Sequence, residues 1–430
     1  MLSVRQVSHK RRLPVFLIWA GLVYGTLFSL NAGAQTIFKS FSPVEFNGFA
    51  EVRAGCRIQD DPHEDQASVM ESRIQAELFT YTSWAQFKYK GDIRADGITD
   101  KWAYDTREAW MFVRPSDAVD IKIGRQILTW GTGDLVFLND LFPKDWQSFF
   151  IGRDNEYLKA PSDAVKLSFF SALANIDLVY TPQFDPDRYI TGQYLSHWDG
   201  SDLTGRDNLS CTLTPDQWFK DDELALRLYR TVHSYELAVY GYHGFWKQPS
   251  GQSASGEDFF PQLSVYGFSA RGNVRRGIGN IEFAWYRSDQ DLCGTNPFIN
   301  NSELRYLVGY NQDLAANFNA GLQYYIEQIL EYDNYAAGLP RGTAARDRFR
   351  HVITLQLTKL LMNQNLELSL SAWLSPSDRD AYLKPKIKYK FSDALVVEAG
   401  ANIFTGRHAY TFFGQLEDNT NVYTAVRYSF

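Results

Sequence analysis

Residues 422–430 read VYTAVRYSF: Val422, Thr424, Val426, Tyr428 and Phe430 fall on one face, and Tyr423, Ala425, Arg427 and Ser429 on the other. A period of two is that of a β-strand, and two chemically different faces imply two different surroundings. The sequence stops at Phe430 with no turn after it. Soluble domains usually finish in a polar, frayed tail, because the last backbone groups need water or a partner. The expectation is therefore a final strand paired with the first, closing a sheet on itself and leaving no edge.

The other end supports export. Residues 1–12, MLSVRQVSHKRR, are basic; residues 13–30, LPVFLIWAGLVYGTLFSL, are apolar; and Ala32 and Ala34 flank Gly33 in NAGAQ. This pattern predicts a secretory signal, 1–34, removed before Gln35. The competing reading is an uncleaved anchor, since the run approaches membrane-spanning length. No cysteine stands at the cleavage point, which disfavours a lipoprotein.

No later apolar run is long enough for a spanning helix, and 22% of residues are charged with a mean hydropathy of −0.32. Those values suit a soluble protein, but they also suit a barrel in which only half of each strand meets lipid. The 25 Tyr, 30 Phe and 11 Trp make 15% of the chain, as interfacial aromatic girdles require. Without the four basic residues of the signal, the 43 Lys+Arg fall to 39 against 50 Asp+Glu. Nucleic acid is disfavoured as a partner, because no global basic character exists to collect phosphates. In an oxidising compartment the three cysteines allow one disulfide; Cys211 and Cys293, both in long connections, are the pair considered.

Alternating segments recur from Val44 onward, near 44–55, 70–80, 84–94, 106–114, 119–129, 163–171, 173–181, 222–232 and 235–245. Others lie near 262–272, 279–288, 303–312, 317–327, 350–360, 365–374, 381–391, 394–404 and 421–430. Tight links such as VHSY and LMNQN alternate with longer polar ones, notably 56–69, 131–162, 182–221, 246–261, 330–348 and 405–420. This asymmetry predicts an all-β fold: a transmembrane antiparallel up-and-down barrel of about eighteen strands, or sixteen, with short periplasmic turns and long outer loops. Residues 35–430 form one domain on this reading.

The connection 131–162 is long yet rich in apolar residues: Leu135, Phe137, Leu138, Leu141, Phe142, Trp146, Phe149 and Phe150. A solvated loop has no use for them, so the segment is expected to fold into the lumen and narrow it. Asp134, Asp140, Asp145, Arg153 and Asp154 are the expected constriction residues. An outer lid packed on neighbouring loops is the alternative. In 382–391, YLKPKIKYKF, Lys384, Lys386, Lys388 and Lys390 share one face. A lysine facing lipid costs roughly 2–4 kcal/mol at mid-depth, so this ladder is expected to line the pore. It either attracts anions or balances wall carboxylates such as Glu367 and Glu398.

VDIKIGRQILTWGTGD (119–134), LKAPSDAVKLSFF (158–170) and DLVYTPQFDPDRY (177–189) resemble porin-like proteobacterial outer-membrane proteins of the alginate-export-like group. The matching residues are Gly124, Arg125, Gln126, Trp130 and Gly131, ahead of a long internal loop. The resemblance implies a barrel and transport across the outer membrane, and transfers no substrate. The mixed inner faces depart from the strongly basic lumen that alginate export calls for.

No GxSxG, HExxH or CxxCH motif is present, and the GTGD of 131–134 lacks the helix of a phosphate loop. No catalytic residue, cofactor or metal is expected. The functional expectation is a bacterial outer-membrane channel for small hydrophilic solutes, with a lean toward anions. Its expected partners are outer-membrane lipid and lipopolysaccharide, and the barrel-assembly machinery acting through Phe430. Two further readings stay open: a barrel sheathing a periplasmic export or electron-transfer partner, and a surface receptor using 182–221 and 330–348.

Overall fold

The computed structural model describes residues 44–253 and 255–430. The expected signal, 1–34, lies outside the described residues. Eighteen strands form one sheet. The first six are β1 (Val44–Arg57), β2 (Ala67–Tyr81), β3 (Ala85–Asp96), β4 (Lys101–Ser116), β5 (Val119–Ile127) and β6 (Pro161–Phe169). Next come β7 (Asn175–Thr181), β8 (Glu223–Val232), β9 (Tyr235–Phe245), β10 (Gln262–Val274), β11 (Gly277–Ser288) and β12 (Glu303–Ala315). The last are β13 (Phe318–Ile329), β14 (Phe349–Leu361), β15 (Leu366–Ser375), β16 (Asp380–Lys390), β17 (Leu395–Gly406) and β18 (Asn421–Ser429).

Each strand pairs antiparallel with its sequence neighbours, and β1 pairs with β18, with Glu51 opposite Arg427. The sheet therefore has no edge. At the seam the Phe430 amide donates to the Gly48 carbonyl over 2.9 Å and the Gly48 amide donates back over 3.0 Å. The Phe430 ring stacks on Phe46 at 5.8 Å.

The two faces of the wall invert the usual order of burial. Ile93, Val308 and Ile387 point outward and are each 52% exposed, whereas Arg53 and Glu71 point inward and are 1% exposed. An exposed apolar exterior of this extent calls for a non-aqueous surrounding. Among the described residues no helix is long and apolar enough to cross a membrane.

One end of the barrel carries tight turns, where His233, Arg275 and Asn317 take φ of 55°, 54° and 55°. Such left-handed residues match the twist of two-residue hairpins. The opposite end carries the long connections. There the alternation is less complete than expected, because 97–100 and 376–379 are four-residue links. The β3–β4 hairpin runs further than its sequence pattern indicated: β4 begins at Lys101, since Trp102 and Tyr104 continue an outward aromatic row. Elsewhere at this end, Thr212–Leu213 pairs with Asp258–Phe259, which knits the seventh and ninth connections together.

Cys56, Cys211 and Cys293 are all free. The staple considered between Cys211 and Cys293 does not form; Cys293, in the eleventh connection, lies instead against the thirteenth, its carbonyl accepting from Asn334 over 2.8 Å.

Candidate pore and constriction

The connection between β5 and β6 folds into the lumen. Its apolar residues make it an internal core, with Leu138, Phe142, Phe149, Phe150 and Ile151 buried against wall aromatics such as Trp373, Tyr382 and Phe404. It contains one short helix, α1 (Trp146–Phe150). Asp145 caps the helix by accepting from the Ser148 amide over 2.8 Å. Asp154 caps the next turn in the same way, accepting from the Glu156 amide over 3.0 Å. Between them Gly152 takes φ of +86°, and a β-carbon there would stand 2.4 Å from Tyr423. Glycine lets the backbone touch the wall.

Buried ion pairs fasten the loop to β1, β2 and β18. Arg153 meets Glu71 at 2.9 Å and Asp96 at 3.7 Å, and donates to Ser148 Oγ over 3.0 Å. Arg53 donates to the Gly152 carbonyl over 2.5 Å, and Arg427 reaches both Glu51 (2.8 Å) and Asp154 (3.5 Å). Tyr157 lies between the Arg73 and Arg107 guanidinium groups, 3.9 and 4.9 Å from its ring centre. Removing charges from water is costly, so such a network holds only when each member is paired.

On the far side, Glu282 of β11 accepts from the amides of Thr132 and Gly133 and from Asn139 Nδ2. Tyr286 donates to the Leu138 carbonyl over 2.5 Å and Trp373 to that of Leu135 over 3.0 Å. The loop is thus a strap across the lumen, tied at both ends.

The expected constriction residues divide into two groups. Asp134 and Asp140 line the open space beside the strap. Asp140 there accepts from Thr129 Oγ1 (2.8 Å) and pairs with Lys144 (3.1 Å). Asp145, Arg153 and Asp154 are occupied in caps and anchors. The lysine ladder divides as well. Lys384 is buried beneath the strap, donating to Asn155 Oδ1 (3.0 Å) and the Phe149 carbonyl (3.3 Å). Lys386 lies 3.8 Å from Glu398, Lys388 is half-buried, and Lys390 turns to Asp393 (2.7 Å) at the turn end. Glu398 is thus a counter-charge; among the described residues no ion pair joins Glu367 to the ladder.

The open space is a cavity of about 550 Å³ between the strap and β10–β16, reaching from the loop end down to Gln356 and Ser371. Arg305, Arg346 and Arg350 line it with Glu303 and Glu327, facing Phe137, Trp146 and Phe149 of the strap. Arg346, Arg350 and Phe412 also line a second depression of about 420 Å³, with Arg379 and His408, so the two spaces meet at these residues.

Sequence reasoning missed Arg346, Arg350 and a second inserted segment. Residues 184–196 dip onto the strap, where Arg188 pairs with Asp105 (2.7 Å) and Asp145 (3.4 Å). Asp187 accepts from the Lys144 amide (2.7 Å) and Trp146 Nε1 (2.8 Å), and burial pushes its carboxyl up to about 6. The signal was present in Phe184, Tyr189, Tyr194 and Leu195, apolar residues in an otherwise polar loop.

Pseudomonas aeruginosa OccD3 (OpdP) superposes with a TM-score of 0.53 at 9% identity, over 90% of this chain and 91% of that one. The fold is porin-like. Salmonella typhi OmpF in complex with daunomycin gives 0.45 at 9% identity over 90% and 97%. A Rhodopseudomonas blastica porin triple mutant gives 0.40 at 11% over 90% and 100%. At these identities the likeness to OccD3 is one of fold, and the two lower scores add nothing to it. No family model matches the chain, and no curated protein does.

Proposed function

We propose that this barrel sits in a bacterial outer membrane and passes small hydrophilic solutes passively past the strap. The observation that carries the reading is the cavity beside the strap, which meets the loop-end depression at Arg346 and Arg350. A strap tied at both ends sets an aperture, and charged groups along the open side set its field. The apolar exterior supports the location. The resemblance of 119–134 to alginate-export-like barrels belongs to this proposal too, as do lipopolysaccharide contact and recognition of Phe430 by the assembly machinery. A sheath around a protein partner is the weaker reading, because the strap and residues 184–196 occupy the lumen.

The test is single-channel conductance of the refolded mature chain in a planar bilayer, with reversal potentials under a salt gradient. Stable open steps support a channel. A folded barrel that stays silent overturns the reading.

A further inference from the structure

The cavity is chemically two-sided in a way that generic passage of hydrophilic solutes does not require. Its strap side is apolar and aromatic, with Leu135, Phe137, Leu141, Trp146, Phe149 and Phe150. A wet pore gains nothing from such a surface, whereas an apolar solute body does.

Its cations stand against rings. The Lys384 ammonium is 4.0 Å from the centre of Phe149, Arg305 is 3.9 Å from Tyr286, Arg350 is 5.0 Å from Phe412 and Lys144 is 5.0 Å from Phe137. A planar solute sliding over these rings meets positive charge at each step.

The carboxylates of the cavity are largely committed. Glu303 pairs with Arg305 (2.6 Å) and Arg346 (3.4 Å), Glu327 with Arg346 (2.6 Å), and Asp140 with Lys144 (3.1 Å). Asp187 is satisfied by N–H donors, and Asp134 is a lining carboxylate with no ion pair among the described residues. On the other side of the balance, Lys384 makes no ion pair among the described residues, although it is 5% exposed. Both its hydrogen-bond acceptors are neutral. Arg346, with 45% of its side chain exposed, presents its remaining donors to the opening. Burial among neutral acceptors works against the charge of this lysine, and an anion bound beside it would offset that cost.

We infer that the cavity is a selective site for small organic anions with an aromatic or apolar body, aryl carboxylates being the simplest class. The ring lies on the strap aromatics and the carboxylate faces Lys384, while Arg346 and Arg350 stand at the loop-end opening through which the anion enters. This inference rests on the channel reading for its physiological meaning, but binding can be measured without conduction.

The experiment is isothermal titration calorimetry of the detergent-folded mature chain at neutral pH with benzoate, benzyl alcohol, acetate and glucose. Benzoate is expected to bind at least about tenfold more tightly than the other three. Lys384→Gln is expected to weaken benzoate about tenfold. Gln356→Glu, which adds a negative charge to the half-buried lining without removing a contact, is expected to do the same. If Lys384→Gln loses the heat-modifiable mobility of a folded barrel, Gln356→Glu alone decides. Benzoate binding no tighter than benzyl alcohol, acetate or glucose overturns the inference, as does a folded Gln356→Glu barrel with unchanged benzoate affinity. A barrel that binds benzoate but never conducts would sink the channel reading and leave the site standing; one that conducts without discriminating would do the reverse.

Discussion

Arg153 of the strap donates to Glu71 of β2 over 2.9 Å, with both side chains almost wholly removed from solvent. The bond joins a loop to a wall residue 82 positions earlier, and Arg73 and Asp96 complete the cluster around it. It fixes where the strap lies, and so which side of the lumen stays open.

Breaking that pair on one side leaves an uncompensated buried charge, which costs about 3–5 kcal/mol. Arg153→Met is therefore expected to free the strap from β2 while the hydrogen-bonded wall persists. Bilayer recordings should show larger and noisier open steps than those of the parent. Steps of unchanged size and noise would show that the strap is held well enough by Glu282 and Arg427 alone.

Gly152 is a backbone requirement. With φ of +86° and Tyr423 within 2.4 Å of any added β-carbon, Gly152→Ala combines left-handed strain with a clash. The expected loss is about 2 kcal/mol or more, read as a lower temperature for the heat-induced change in gel mobility. Gly241, which has nothing within 4 Å of an added β-carbon, is the control; Gly241→Ala should leave that temperature close to the parent's.

The lysine ladder should act unequally. Lys386 and Lys388 face the lumen half-buried, whereas Lys390 is drawn to Asp393 at the turn end. Replacing Lys386 and Lys388 with Gln is expected to move the reversal potential toward cation preference, and Lys390→Gln to move it little. Equal shifts from all three would remove the distinction.

Two loop carboxyls carry a pH dependence. Burial pushes Glu64 up to about 7, against the opposing pull of Arg57 and Arg206, and pushes Asp187 up to about 6, against that of Lys144. A carboxyl raised in the folded state binds its proton before the unfolded chain does as pH falls, so stability rises as pH drops through those values. Between pH 7 and pH 5 the melting temperature of the parent should therefore rise more than that of its Asp187→Asn variant. An identical pH profile in the two proteins would show that Asp187 keeps an ordinary affinity for protons.

All three cysteines are free and exposed. Maleimide labelling of the folded, unreduced barrel should therefore modify Cys56, Cys211 and Cys293 alike. A protected pair that labels only after reduction would restore the staple between the long connections.

The wall was legible in the sequence because alternation is a local property. In VYTAVRYSF each residue's face follows from its neighbours two positions away, and Val422 and Val426 do point outward while Tyr423 and Ala425 point in. The strap was partly legible for a related reason: Phe149, Phe150 and Trp146 cannot be left in water, so a long connection carrying them must pack on the inner wall or on neighbouring loops, and the structure packs it on the wall. What the sequence could not supply was the meeting of strap and wall. Arg153 finds Glu71, Lys384 finds Phe149 and Glu282 finds Gly133 across separations of 82, 235 and 149 residues. Those encounters depend on registers accumulated around a closed sheet, where a slip of one residue turns a side chain from lumen to lipid. Composition and periodicity therefore determined a barrel and a connection that had to bury its aromatic residues. Only the closed tertiary structure decided that Asp145, Arg153 and Asp154 would hold the loop in place, and that Arg346 and Arg350 would stand at the opening.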